Sequence, residues 1–307
     1  MIDWLAQPWS FAFFRHGMIA ATLAGGLAGL VGIYVVLRRM SYIGHGLSHA
    51  ILGGAVVGYI ANASFYVTGG IWGAVSALMI TGVSRSRKIG ADAAIGIITT
   101  ASYAVGIALI SRGHHFTRNF EAAFFGNILG VTTSEVWLLV AVAIAVAVTI
   151  FFFYKQLLFV TFDPEVASSF GVRTVLVDSV FSLVLAASII ATMRILGVTL
   201  IAAAIVTPAV VARLSTDSFS RMLLLSVGVG ALCGFGGMYV SYYGDIASGA
   251  TITLFGAAVF AVVYLGGLAR GRFSRARRGD QTAADDPGEG LVGFAARATA
   301  LADIDIH

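Results

Sequence analysis

Residues 136–154 read VWLLVAVAIAVAVTIFFFY, an apolar run that contains no charged residue. A helix needs about 20 mostly apolar residues to cross the hydrocarbon core of a bilayer, and this run with its flanks reaches that length. The bias extends to the whole chain, because 58% of its 307 residues are hydrophobic and only 11% are charged. A soluble domain carries roughly 25% charged residues. We therefore predict an all-α integral membrane protein.

Nine segments of the chain are apolar enough and long enough to form transmembrane helices. Some of the gaps between them are short, so we expect eight to nine spans. The predicted spans are residues 17–37, 46–63, 65–84, 90–111, 133–154, 174–193, 195–213, 221–242 and 248–268.

Lysine and arginine residues are distributed unevenly between alternate loops, and cytoplasmic loops normally carry the excess. This asymmetry predicts that the N-terminus is outside and the C-terminus is cytoplasmic. The basic residues on the predicted cytoplasmic side are Arg38, Arg39, Arg85, Arg87, Lys88, Lys155, Arg173, Arg213, Arg221, Arg270, Arg272, Arg275, Arg277 and Arg278, against Arg15, Arg112, Arg118 and Arg194 on the outer side.

The transmembrane region, residues 16–270, is flanked by two segments of different composition. Residues 1–15 contain Trp4 and Trp9 beside several phenylalanines, which predicts an amphipathic segment at the membrane interface. Residues 271–307 are first basic and then acidic, which predicts a cytoplasmic tail that is disordered for much of its length. The net charge of +4 lies at helix ends and in this tail, so it indicates topology rather than nucleic-acid binding.

The residue content excludes two kinds of chemistry within one chain. The single cysteine, Cys233, excludes a disulfide framework and a cysteine-based metal cluster. The only lysines are Lys88 and Lys155, and neither ends the G-x-x-x-x-G-K-[ST] run of a nucleotide-binding P-loop. If ATP drives this protein, the ATPase is therefore another polypeptide, and we predict that this chain is not itself an enzyme.

Residues 41–50, SYIGHGLSHA, contain two histidines four positions apart, His45 and His49. On a helix this spacing places both imidazoles on one face, where two nitrogens can reach one metal ion. Neutral imidazole suits zinc, iron, nickel and copper, and it can serve manganese when oxygen ligands join it. The alternative is that both histidines lie near the cytoplasmic interface and hydrogen-bond to lipid or backbone.

Residues 162–172, FDPEVASSFGV, predict a short helix between two spans on the cytoplasmic side. Its ends carry an N-cap aspartate, a proline and a glutamate in the first turn, and a glycine stop. A helix this short is unstable alone in water, so its apolar side must pack on its own protein or on a partner. The residues concerned are Asp163, Pro164, Glu165 and Gly171 for the ends and Val166, Ala167 and Phe170 for the apolar side.

Two carboxylates and one proline near or within the predicted spans need an interpretation. Asp92 and Asp178 fall near cytoplasmic ends of spans, and we favour structural roles for both over ion binding. Asp92 could cap its helix or pair with Lys88, four residues earlier. Pro208 lies inside the seventh predicted span, where it removes one backbone hydrogen bond and should kink the helix.

The outward segment 112–132 has an apolar part that is too short to span the membrane. We expect this segment to re-enter the membrane or to lie flat on it. His114 and His115 are adjacent and would diverge on a helix, so we predict that they face solvent rather than bind metal.

Five stretches, taken in chain order, carry a resemblance to a known family. They are 37–41 (LRRMS) with 46–50 (GLSHA), 91–96 (ADAAIG), 125–129 (FGNIL), 162–165 (FDPE) with 171–172 (GV), and a late set at 197–198, 208–209 and 248–252. In this order the chain, from about residue 15 to residue 265, resembles the permease family of zinc/manganese/iron ABC importers. The resemblance implies a type II ABC importer permease fold that crosses a bacterial plasma (inner) membrane several times.

The family motif assigns a role to the histidine pair. In such permeases an aspartate and a histidine four positions apart, at the motif DALSHA, are the proposed intramembrane metal ligands. His49 matches that histidine, whereas His45 stands where the family has the aspartate. The resemblance therefore implies that both residues bind the transported ion transiently. An imidazole in place of a carboxylate favours a softer ion such as zinc or ferrous iron over manganese, and binding should weaken as the imidazoles protonate at lower pH.

The resemblance also implies an assembly. Two copies of the permease form one pore, a separate ABC ATPase docks on its cytoplasmic side, and an extracytoplasmic receptor delivers the metal. The cargo is a manganese, zinc or iron ion, and no cofactor is bound permanently. The implied residue roles are ATPase coupling for Asp163, Pro164, Glu165, Val166, Phe170 and Gly171, and helix packing or gating for Asp92, Asn127 and Pro208.

Two other classes of function make different demands on the sequence. A secondary transporter driven by an ion gradient should show inverted repeats and a carboxylate near the midplane of the membrane, and neither is apparent. A membrane enzyme with a di-histidine metal site would need further ligands, and none adjoins His45 and His49 in the sequence.

Overall fold

The computed structural model describes residues 7–85, 89–113, 124–128 and 130–284. Within these ranges the regular structure is helical throughout, which confirms the predicted all-α class. The chain divides into two compact units, Met1–Phe260 and Ala261–His307. After a 3-10 turn at Gln7–Ser10, the α-helices are α1 (Ala12–Leu37), α2 (Ile43–Ile60), α3 (Phe65–Ser84), α4 (Ala91–Gly113), α5 (Thr133–Phe162), α6 (Pro164–Ser169), α7 (Thr174–Leu196), α8 (Ile201–Ser215), α9 (Phe219–Gly244) and α10 (Ser248–Ala284).

In the described part of the chain, eight helices are long and apolar enough to cross a membrane. They are α1 to α5, α7, α9 and the Ser248–Ala269 part of α10. The seventh predicted span, 195–213, differs, because α7 continues to Leu196 and the following α8 has only 15 residues. Between them Gly197 has a φ of 82°, a left-handed value that residues with side chains rarely adopt. Because of this turn, residues 195 and 196, which we predicted to begin the seventh span, belong to α7 instead.

Helices extend into both predicted flanking segments. The first helix already begins at Ala12, inside the predicted interfacial segment 1–15, and α10 continues to Ala284, past the predicted start of the tail at residue 271. Near the N-terminus, the indole of Trp9 donates a hydrogen bond to the hydroxyl of Tyr239 at 2.7 Å. This contact attaches the aromatic N-terminal turn to α9. The adjacent histidines His114 and His115 lie outside the described residues.

The helices α1 and α9 pack along a seam of small residues. Gly25 and Gly29 on α1 lie against Gly230 and Ser226 on α9, and a Cβ atom added at Gly230 would collide with the carbonyl oxygen of Gly25. Ser226 donates its hydroxyl to the carbonyl of Gly29 at 2.7 Å. Because lipid tails are as apolar as leucine, helices in a membrane associate through close packing of this kind rather than through the hydrophobic effect.

One end of the bundle is held by ion pairs centred on Asp178, in the second turn of α7. Arg38, directly after α1, donates to Asp178 at 2.8 Å, and Arg85, directly after α3, donates to it at 3.2 Å. Arg38 also donates to the hydroxyl of Thr161 in α5, and Arg85 to that of Thr174, both at 3.0 Å. The side chain of Arg38 is only 10% exposed. The network therefore ties together one end of α1, α3, α5 and α7, which is the kind of structural role predicted for Asp178.

The opposite end of the bundle has a smaller polar network. Glu135 in the first turn of α5 forms an ion pair with Arg194 near the end of α7, and it accepts a hydrogen bond from Tyr66 of α3 at 3.0 Å. Glu135 also forms a capping box with Thr132, in which each residue satisfies a backbone N–H of the other. Together these bonds fix the start of α5 against α3 and α7.

The α1–α9 seam predicts the effect of one added methyl group. We expect Gly230→Ala to lower the free energy of unfolding by about 1–3 kcal/mol, because overpacking a tight contact costs about that much. Thermal denaturation of the detergent-purified protein measures the effect. The matched control is Gly228→Ala on the same helix, where an added Cβ meets nothing within 4 Å. An equal melting temperature for both variants would contradict this account of the seam.

Candidate metal-binding site

The two predicted ligands lie in the first two turns of α2. Their imidazole ring centroids are 4.5 Å apart and the ring planes meet at 85°. This is the arrangement that helical spacing of four predicts, with both rings on one face. His45 is exposed and His49 is half-buried, so the pair leads from the surface of the bundle towards its interior.

The glycines of α2 bring α4 close to the histidine pair. A Cβ atom at Gly46 would contact Ile95 and Thr99 of α4, and one at Gly53 would collide with the carbonyl oxygen of Ser102. Residue numbers therefore increase in the same direction along both helices. The two helices run parallel and have their N-termini at the same end of the bundle. Side chains from the first turns of α4 consequently face the same space as the two imidazoles.

A cleft of about 310 Å³ lies between α2 and α4 and contains both histidines. Its wall is more polar than is usual for a membrane bundle, since two threonines, two tyrosines and a carboxylate accompany the imidazoles. The lining residues are Tyr42, His45, Gly46, His49, Asp92, Ile95, Gly96, Thr99, Thr100 and Tyr103.

The environment of His49 leaves one of its ring nitrogens available. Its Nδ1 atom is buried and has no hydrogen-bond partner among the described residues. The ring lies 5.0 Å, centroid to centroid, from that of Tyr103. The neighbouring Ser48 is different, because its hydroxyl donates to the carbonyl of Val198 at 3.0 Å and so fixes α2 against the turn that precedes α8. A buried nitrogen without a partner fits a metal ligand better than the alternative of a histidine bonded to the backbone.

Within the part of the chain that the structure describes, the two histidines do not form a complete metal site. Among the described residues, no group of three or more histidine, cysteine, aspartate or glutamate side chains could hold one ion. Structural transition-metal sites are usually at least four-coordinate. The arrangement can therefore bind an ion only weakly, unless donors from outside this chain or water molecules complete its shell.

Asp92, for which we favoured a structural role, borders the histidine pair. It lies in the first turn of α4 and lines the same cleft as the histidine pair. Its side chain is exposed, and no hydrogen bond or ion pair to its carboxylate occurs within the described ranges. Lys88, the predicted ionic partner, lies outside those ranges. Asp178 is not part of the cleft, because it holds the two arginines at the end of the bundle.

Three polar residues that α4 contributes to the cleft wall were not predicted, although the sequence carries a signal for them. Thr99, Thr100 and Tyr103 follow Asp92 along α4. Asp92, Thr99 and Tyr103 are spaced by seven and then four residues, which keeps them on one face of a helix. A search for polar residues along one face of an otherwise apolar span would have found them.

The short helix predicted at 162–172 is α6, and its ends follow the prediction. Asp163 accepts a hydrogen bond from the backbone N–H of Val166 at 2.9 Å, and Gly171 has a φ of 82°. The apolar side is divided between two environments. Ala167 is fully buried against the bundle, whereas Phe170 is 78% and Val166 41% exposed. The helix thus packs on its own protein through Ala167, whereas Phe170 and Val166 are exposed.

Asn127 and Pro208 lie away from the cleft wall. The backbone N–H of Asn127 donates to the carbonyl of Arg194 at 2.9 Å, and its side-chain oxygen accepts from the N–H of Gly130 at 3.1 Å. These bonds fix the segment 124–128 against the end of α7. Pro208 is buried inside α8, which remains helical on both sides of it. A role of either residue in gating stays a prediction.

Comparisons with known proteins identify the family. Residues 10–267 match the model of the ABC 3 transport family. The chain is 33% identical over 273 residues to "Manganese transport system membrane protein MntC" of Halalkalibacterium halodurans, covering 89% of this chain and 94% of that protein. It is 30% identical over 266 residues to a "Probable iron transport system membrane protein" of Haemophilus influenzae, covering 86% and 94% respectively.

A solved structure is similar over the same region. "PsaBC from Streptococcus pneumoniae in complex with Fab" aligns with a TM-score of 0.74 and 31% sequence identity, covering 86% of this chain and 95% of that chain. The matched residues include all five motifs and each of the eight candidate spans except part of the last. By its motif order, its helical fold and these matches, the chain belongs to the ABC 3 transport family and is a multi-pass permease of a bacterial plasma membrane.

Proposed function

We propose that this chain forms the pore of an ATP-driven importer for a divalent transition metal, with manganese and ferrous iron as the leading cargoes. The observation that carries the proposal is the pair of imidazoles in a polar cleft between two membrane helices. The two relatives described above are named for manganese and for iron transport. Zinc is supported only by the preference of imidazole for that ion.

A second copy of the chain would complete the ion path. His45, Asp92 and Thr100 are all exposed at the cleft although they belong to membrane helices. Polar and ionisable groups facing lipid are costly, so they normally face protein or a water-filled cavity. A two-fold partner that covers this side would supply such a cavity and would add a second histidine pair, giving four imidazoles for one ion.

The energy source would be a separate ATPase. The sequence has no P-loop, and membership of the ABC family favours ATP over the ion gradient of a secondary transporter. The exposed Phe170 and Val166 of α6 offer an apolar surface beside the acidic Asp163 and Glu165. Such a surface suits docking into a groove of a partner protein, as helix recognition commonly does. A receptor that delivers metal on the other side completes the proposed assembly.

The proposed mechanism is transient coordination. Neutral imidazoles bind a divalent ion without cancelling its charge, so the ion is held less firmly than by carboxylates or thiolates. Conduction requires a site that is favourable enough to enter and weak enough to leave. ATP-driven movement of α6 would then alternate the access of the cleft between the two sides of the membrane.

The first test removes the inner ligand. We expect His49→Ala to lower manganese and ferrous-iron uptake by about tenfold or more, since loss of even an outer-shell partner of a metal ligand costs about 10–100-fold. Radioactive uptake by cells that carry the complete importer measures this, normalised to the amount of permease in the membrane. The control is His16→Ala, a half-buried histidine of α1 that lies outside the cleft lining. Normal uptake by His49→Ala would refute the site.

The second test concerns metal preference. We expect His45→Asp to raise the ratio of manganese to ferrous-iron uptake by roughly threefold or more, because a carboxylate is a harder ligand than an imidazole. Competition between the two ions in the same uptake assay gives the ratio directly. A ratio that stays at the wild-type value would show that residue 45 does not select the metal.

The third test addresses the ATPase surface. We expect Phe170→Asp to weaken ATPase association by about tenfold or more, because a central aromatic anchor typically contributes about 2 kcal/mol or more to an interface. Copurification with the tagged permease and uptake should fall together. Ser169→Asp adds the same charge at the neighbouring exposed position and should retain association. If Phe170→Asp binds the ATPase normally, α6 serves only its own bundle.

A further inference from the structure

The parallel packing of α2 and α4 places three side chains of metal-ligating types in order along one cleft. Gly46 lies against Ile95 and Thr99, and Gly53 lies against Ser102 and Tyr103, so the two helices keep a constant register. Asp92 precedes Ile95 by about one turn and therefore lies nearer the N-terminal ends of both helices than the histidines. The order from those ends into the bundle is Asp92, His45 and His49.

Asp92 lines the cleft with the histidine pair but does not complete a metal site with it among the described residues. The three side chains line one cleft, yet no three such groups in the described part of the chain could hold one ion together. Asp92 is therefore not a third ligand of the histidine site in this conformation. Its carboxylate is exposed to the cleft, whereas Asp178 is occupied by Arg38 and Arg85.

The charge of the cleft adds a reason for ion binding at Asp92. It is the one charged side chain in the described lining, so it supplies the negative charge of the path. A divalent ion leaving two neutral imidazoles still carries its full charge, and carboxylates attract such ions strongly in a cleft with low-dielectric walls. Rings of aspartate and glutamate serve this purpose in cation channels.

We propose that Asp92 is a second ion station, which receives the metal from the histidine pair and passes it to the adjoining side of the membrane. This inference rests on the proposed function and names a further residue of the same path. With the predicted orientation, the N-terminal ends of α2 and α4 face the cytoplasm. Asp92 is then the exit station of import.

The experiment measures initial rates of Mn²⁺ uptake by cells carrying the complete importer, over a range of Mn²⁺ concentrations. We expect Asp92→Asn, which keeps the shape but removes the charge, to lower the maximal rate by about tenfold, equivalent to about 1.4 kcal/mol on the barrier. Asp92→Glu should keep at least about half of the rate, because it keeps the carboxylate. Asp217→Asn removes the same charge from the exposed loop between α8 and α9 and should leave the rate unchanged.

If Asp92 has a purely structural role, we expect a different result. Rates are divided by the amount of permease that copurifies with its ATPase, so poor insertion or assembly does not count as slow transport. Asp92→Ser, a smaller neutral replacement, must reproduce the loss seen with Asp92→Asn. Uptake by both neutral variants within twofold of the wild type would overturn the proposal, as would equal losses in Asp92→Glu and Asp92→Asn.

The same assay separates this inference from the proposed function. If the wild type takes up neither Mn²⁺ nor Fe²⁺, or if His49→Ala is normal, the proposed function fails. If the wild type transports, His49→Ala is blocked and Asp92→Asn is normal, only the second station fails.

Discussion

Close contact between helix backbones is the constraint on which the rest of this structure depends. Helices in lipid gain nothing from burying apolar side chains against one another, so they need short distances and many van der Waals contacts to associate. Gly25, Gly29 and Gly230 allow this between α1 and α9, and Gly46 and Gly53 allow it between α2 and α4. The second contact also sets the register that brings the polar residues of α4 to the histidines of α2. Gly46 and Gly53 thus determine both the packing of α2 on α4 and the composition of the cleft.

The ion pairs at one end of the bundle connect the cleft with the surface proposed for the ATPase. Thr161 is near the end of α5, three residues before the start of α6, and it accepts a hydrogen bond from Arg38. Arg38 follows α1 and lies a few residues before α2, which carries the proposed metal ligands. A displacement of α6 therefore has a short route, through one hydrogen bond and one tight turn, to the helix that holds His45 and His49. Asp178 keeps Arg38 in place along this route.

In the proposed ion path, the histidine pair and Asp92 would divide the demands of transport between two kinds of donor. Imidazoles give selectivity for transition metals without fixing the ion by charge, and a carboxylate offers charge without much selectivity. Placing the two in series rather than around one point avoids a deep well in which the ion would remain. An importer needs this shallow profile, because every bound ion must also be released.

The amino-acid sequence by itself determined the membrane class, the helical fold, the histidine pair and the ends of α6. Each depends on composition or on spacing within one segment, such as four residues between His45 and His49 or the cap formed by Asp163. Tertiary structure decided what lies between segments. It ended α7 and began α8 at the turn of Gly197, where φ is 82°, and so shortened the seventh predicted span. It also brought Asp92 into the wall of the cleft that contains the histidine pair. No pattern within α4 reveals that α2 lies beside it in parallel, because that pairing is set by glycine contacts between residues far apart in the chain.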